Sequence, residues 1–234
     1  MLAIALPFIA LTSCGGDDDE PDYKYSDITL KYQQTYQITG ETTGWTSENT
    51  LIASVTKSGL VTGLLEGETE LRNGSSRFNV TVTPTVTLYA NPCLKWGASE
   101  SNVKSFMRGY SPVSESDDMI LYSNYGEAQL LGYSFDNRRL EAVMAFIPVS
   151  SVSAEEMVSH LAQRYVAVDQ EDDSFFFLSP DRETVVMLQV TEISGTVVYS
   201  VFYASYDDLV EDRAIDAIDI EYLKAMSDKM ASKM

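Results

Sequence analysis

Between residues 86 and 206 the chain writes one order of elements twice, and this repetition limits the fold more than any other feature. Each half opens with a short amphipathic helix and continues through three runs of strand character. In the first half, Ser99 is placed to cap a helix on which Val103, Phe106, Met107 and Tyr110 share a face. Runs at 119–123, 129–135 and 139–147 follow, the last two joined by Asp136-Asn137, a pair suited to a tight hairpin turn. In the second half, Ser153 and Glu156 have the spacing of a capping box ahead of Met157, Val158, Leu161, Ala162 and Tyr165. Runs at 175–178, 184–191 and 196–204 complete it. Neither helix is long enough to stand without packing. The expected domain over 86–206 is therefore α+β, built from tandem α-β-β-β units: one antiparallel sheet of about six strands with both helices on one face.

Residues 26–85 have a different texture, short alternating runs separated by turn residues, which predicts an all-β sandwich. Trp45-Thr46-Ser47-Glu48-Asn49, Ile52-Ala53-Ser54-Val55, Gly59-Leu60-Val61-Thr62-Gly63 and the run from Gly67 to Leu71 occur in this order. On those motifs the segment resembles a bacterial immunoglobulin-like domain of group 2, the module of intimin- and invasin-type surface proteins. Val61 is expected to point into the core, Trp45 to fill it, and Gly59 and Gly63 to supply positive φ in turns. Thr69 stands where the family usually has a small alanine. The resemblance implies either a spacer or a ligand-contacting module.

Ahead of the sandwich lies an apolar stretch, residues 1–13, too short to span a bilayer and read as a signal peptide. It ends in Leu11-Thr12-Ser13-Cys14, which resembles a bacterial lipobox; the resemblance implies cleavage before Cys14, its acylation, and a lipid anchor in the membrane. Residues 14–25 form an acidic tether. Its Asp17, Asp18, Asp19 and Glu20 resemble the signal that carries lipoproteins to the outside of the outer membrane in one phylum of Gram-negative bacteria, and also suit a solvated spacer.

Composition narrows the chemistry. With 16 basic and 35 acidic residues in 234, the net charge of −19 opposes nucleic acid and anionic lipid headgroups. One histidine and two cysteines leave no zinc cage or disulfide framework. His160 is expected on the solvent side of its helix, and no GxSxG nucleophile motif accompanies it. Cys93 reads as a small buried hydrophobe. Asp169, Glu171 and Asp173 alternate as in a calcium loop, but Ser174 and Pro180 occupy the positions an EF-hand reserves for glycine and glutamate. No catalytic, metal or cofactor site is expected.

The 86–206 segment is also similar to the beta-lactamase inhibitor protein-like fold and to small outer-membrane assembly lipoproteins, through Trp96-Gly97-Ala98-Ser99 and the capped helix before a meander. This resemblance implies protein recognition by a sheet face. Tyr122, Tyr133, Tyr199 and Tyr203 lie in strands and are the candidate partner-binding residues, with half-buried core as the other reading. Residues 207–234 carry Ile215, Ile218, Tyr222, Met226 and Met230 near one stripe, a C-terminal helix that docks on the sheet or on a partner. The expected protein is a non-enzymatic, lipid-anchored lipoprotein of the outer membrane, displayed on the cell surface and binding an unidentified protein or glycan. The alternative is a periplasm-facing lipoprotein that inhibits or escorts another envelope protein.

Overall fold

The structure, a computed structural model, describes residues 24–40, 44–209 and 220–234. Cys14, Asp17, Asp18, Asp19 and Glu20 lie outside the described residues, as do Ile215 and Ile218. The described residues are mostly β-sheet with three helices, one of them C-terminal.

The first seven strands are β1 (Lys24–Lys31), β2 (Thr35–Gln37), β3 (Thr46–Ser47), β4 (Ala53–Val55), β5 (Leu60–Gly63), β6 (Gly67–Asn73) and β7 (Ser76–Thr83). They form two sheets, ordered β1-β7-β6-β3 and β2-β5-β4, with β1 parallel to β7. Ile28, Leu30, Trp45, Ile52, Val61, Leu71, Val80 and Val82 are buried in one core, and Phe78 meets the Trp45 ring edge-on at 5.3 Å. Gly59 takes φ +83, as its turn requires. Gly63 has a different role from the expected one: a Cβ there would lie 3.0 Å from the Lys31 carbonyl and 3.1 Å from Val82, so the position needs absence of bulk. Thr69 earns its place by accepting the Asn49 N–H at 2.9 Å.

The remainder is built on one sheet of eight strands. Its elements are α1 (Glu100–Phe106), β8 (Pro112–Glu115), β9 (Met119–Tyr125), β10 (Ala128–Asp136), β11 (Arg139–Pro148), α2 (Ala154–Ala162), β12 (Val166–Glu171), β13 (Ser174–Leu178), β14 (Thr184–Ile193), β15 (Thr196–Ser205) and α3 (Ile220–Ala231). The order is β12-β13-β14-β15-β11-β10-β9-β8, with neighbours antiparallel. Each repeat is thus a helix and a four-strand meander, not three strands, and the two meanders join through their last strands. Ala142 pairs with Ala204 and Ile147 with Tyr199, so an approximate two-fold axis normal to the sheet relates the halves. The extra strands β8 and β12 are the edges, and each carries a register shift.

Both faces of the sheet are covered. On one face Val103 and Met107 of the α1 region and Met157, Leu161 and Tyr165 of the α2 region pack with Tyr122, Tyr133, Val143, Val201 and Tyr203. On the other, Leu223 and Met230 of α3 pack with Leu121, Met144, Phe146, Phe202 and Met187. The buried stripe of α3 is therefore Leu223, Ser227 and Met230, whereas Tyr222 is exposed. Phe106, Tyr110 and Val158 also depart from expectation and are exposed, because seven- and nine-residue helices bring only one or two turns against the sheet. Both caps form: Ser99 accepts from Asn102 N–H, and Ser153 with Glu156 closes a capping box.

Polar side chains at the end of α2 strap the first seven strands to the sheet. Gln163 Oε1 accepts the Thr85 and Val86 N–H groups at 2.6 and 3.2 Å, and its carbonyl accepts Glu66 N–H at 2.7 Å. Arg164 donates to the Val86 and His160 carbonyls at 3.0 and 2.7 Å and to Thr87 Oγ1 at 3.0 Å. Its Nε lies 2.8 Å from Glu66 Oε2, an ion pair without hydrogen-bond alignment.

A candidate binding groove at one end of the sheet

The four strand tyrosines proposed for partner binding are buried: Tyr122, Tyr133 and Tyr203 are at most 1% exposed and Tyr199 6%. Their face is the one beneath α1 and α2, so they offer no surface to a partner. Two have hydroxyls satisfied internally. Tyr133 accepts the Cys93 N–H at 3.2 Å and meets Met107 Sδ at 3.2 Å, while the Tyr89 and Tyr203 hydroxyls lie 2.7 Å apart. Burial raises the Tyr89, Tyr133 and Tyr203 phenol pKa values far above the ordinary range.

His160 is likewise corrected from the solvent to the interior. Residues 85–89 run over the flank of α2 that looked free, leaving His160 1% exposed, with its ring 4.4 Å from Tyr89 and Nδ1 accepting from Leu88 N–H at 3.4 Å. Burial, with the Arg164 charge adding to it, pushes its pKa down to about 3. Cys93 is a buried free cysteine. Among the described residues no group of three or more His, Cys, Asp or Glu is placed to hold a metal ion, and no helix is long and apolar enough to cross a membrane.

The described surface does contain a groove of about 640 Å³, where the β10–β11 hairpin turns and α3 passes. Four separate segments build it. The hairpin contributes Asp136, Asn137, Arg139 and Glu141; the segment before α1 contributes Trp96 and Gly97; β15 and its exit contribute Ser205, Asp207 and Asp208; α3 contributes Tyr222 and Met226. Its walls are fixed locally. Asn137 and Arg138 take φ +47 and +64, the paired positive values of a type I′ turn, and Asn137 donates to Asp136 Oδ2 at 2.8 Å. Gly97, at φ +71, donates to the Leu140 carbonyl at 3.0 Å, and Arg139 donates to the Gly97 carbonyl at 3.0 Å. Trp96 is oriented by its indole N–H, which donates to Thr184 Oγ1 at 3.1 Å.

The lining thus sets aromatic and thioether surface beside four carboxylates and one guanidinium. The groove is open to solvent, with polar and apolar groups lining it side by side. In the sequence, Trp96-Gly97 reads as a helix lead and Asp136-Asn137 as a turn. Nothing local announced that residues 40 and more positions apart meet at one sheet end.

A different surface lies at the other end of the sheet, in the second half. Val190 pairs with Tyr199 and Phe175 with Leu188, placing Val190, Val197 and Phe175 on the face shared with α2. Val149, whose N–H donates to the Val197 carbonyl at 3.1 Å, is exposed, as are Val190 and Val197 toward the β14–β15 turn and Phe175 beside the β12–β13 turn.

The chain matches no known family model and no curated protein.

Proposed function

We propose that this chain is a non-enzymatic binding lipoprotein, held in the outer membrane through lipid on Cys14 and displayed at the cell surface. In this reading the first domain is an immunoglobulin-like sandwich acting as a spacer, and the second is an α+β recognition domain. The observation that carries the binding role is the groove, with a lining that mixes Trp96, Tyr222 and Met226 with carboxylates. The anchor rests on Leu11-Thr12-Ser13-Cys14 and the display on Asp17, Asp18, Asp19 and Glu20.

Protease treatment of intact cells tests location. The native protein is expected to be shaved, and a variant with Asp17, Asp18 and Asp19 replaced by Ala to be protected. Protection of both would assign the protein to the periplasm, and failure of labelled palmitate to enter it at Cys14 would remove the anchor.

The second reading, a periplasm-facing inhibitor or escort of an envelope protein, draws support from the exposed side chains of Val149, Val190, Val197 and Phe175. Crosslinking in cells separates the two, since an envelope enzyme or assembly factor captured through Val190 favours the escort.

A further inference from the structure

We infer that the groove at the β10–β11 end takes an uncharged saccharide. The inference rests on the binding reading above and adds the ligand's chemical class. Three properties of the lining select it. First, Trp96, Tyr222 and Met226 offer apolar surface from two different elements, suited to the C–H faces of a sugar ring rather than to a small ion. Second, Asp136, Glu141, Asp207 and Asp208 are acceptors and Asn137 and Arg139 carry donors, which matches a ligand bearing many hydroxyl groups, each both donor and acceptor. Third, the charges within the groove, four negative against one positive, oppose anions such as phosphate or a uronic acid.

The acids alone would not make the site. They face a groove open to water, where pairing with a cation is screened and weak. Contact with aromatic surface is not screened in this way, so a ligand that draws its affinity from stacking and uses the carboxylates for orientation gains more than a bare cation. The local bonds of one wall support the same choice. The type I′ turn with the Asn137 bond to Asp136, the Arg139 bond to the Gly97 carbonyl and the Trp96 bond to Thr184 hold those side chains in place before a ligand arrives, which limits the ordering cost of binding on that wall.

The test is titration of the full-length protein in detergent with neutral gluco-, manno-, galacto- and xylo-oligosaccharides, followed by calorimetry and by tryptophan fluorescence. At least one is expected to bind saturably and to keep its affinity in high salt. Tyr222→Ala, on an exposed position of α3, is expected to weaken binding about tenfold, and Asp136→Asn to shift preference among the sugars. Thermal melts of both variants confirm folding, and Trp96→Phe serves as a milder probe of the second wall because Trp96 also packs on the core. Absence of binding across the panel overturns the proposal, as does binding untouched by all three variants. Binding of a lysine hexapeptide in place of the sugars, abolished by salt, would overturn it in favour of a cationic partner. Shaving of the protein from cells without any sugar binding refutes the ligand class and leaves the display; sugar binding by a protein that is never exposed does the reverse.

Discussion

His160 shows how a single side chain reports on its surroundings. It is held neutral in the folded chain with its pKa near 3, against 6.5 when unperturbed. The unfolded chain therefore takes up a proton that the folded chain refuses, so stability falls as pH drops from about 6.5 toward 3, at up to about 1.4 kcal/mol per pH unit. Urea unfolding at a series of pH values is expected to show this slope in the native protein and a shallower one in His160→Gln. Equal slopes would place the acid sensitivity in the carboxylates. His160 lies in the interior and not in solvent because a second layer covers its flank of α2. A helical wheel separates Met157, Leu161 and Tyr165 from His160, but only tertiary structure shows that residues 85–89 cover the second flank. The tyrosines failed for a related reason. The sequence places Tyr122, Tyr133, Tyr199 and Tyr203 in strands, yet alternation along a strand carries no information on which face a helix will cover.

At the level of elements, the six central strands were legible because their side chains are buried, and the capped helices because Ser99 and Ser153 announce their starts. The edges were not. β8 and β12 face water along nearly their whole length, so Pro112–Glu115 and Val166–Glu171 carry no apolar period to read. The groove was illegible as a site, since its parts come from four segments and its residues are ordinary in each. α3 offers the clearest energetic test. Lys224 pairs with Glu171, at 2.7 Å, and Lys233, just past the helix, with Asp118, but these pairs lie at the surface. The packing of α3 on the sheet runs through Leu223, which is fully buried. Leu223→Ala is expected to cost about 2–5 kcal/mol, read by urea unfolding, and to expose the sheet face to a hydrophobic dye. Lys233→Ala is expected to leave the midpoint nearly unchanged. If the lysine variant proved the more damaging, the helix would be held by charge rather than packing.

For the whole molecule, the strap of Gln163, Arg164 and His160 over residues 85–88 joins the first seven strands to the eight-stranded sheet, and the two are expected to move together. Arg164 is 5% exposed and meets Glu66 across the join. Arg164→Met removes that ion pair and three hydrogen bonds, and is expected to destabilise by about 3 kcal/mol. Spin labels at positions 57 and 138 are expected to give one narrow distance distribution in the native protein and a broad one in the variant. A narrow distribution in both would mean that backbone contacts such as Glu66 N–H to Gln163 suffice. The two-fold relation between the halves has a consequence of its own. Because β11 and β15 run antiparallel, the groove and the exposed valines fall at opposite ends of strands ten residues long, roughly 30 Å apart. Occupants of the two ends would not compete for space, so a duplicated unit with diverged tips leaves room for two unlike partners at once.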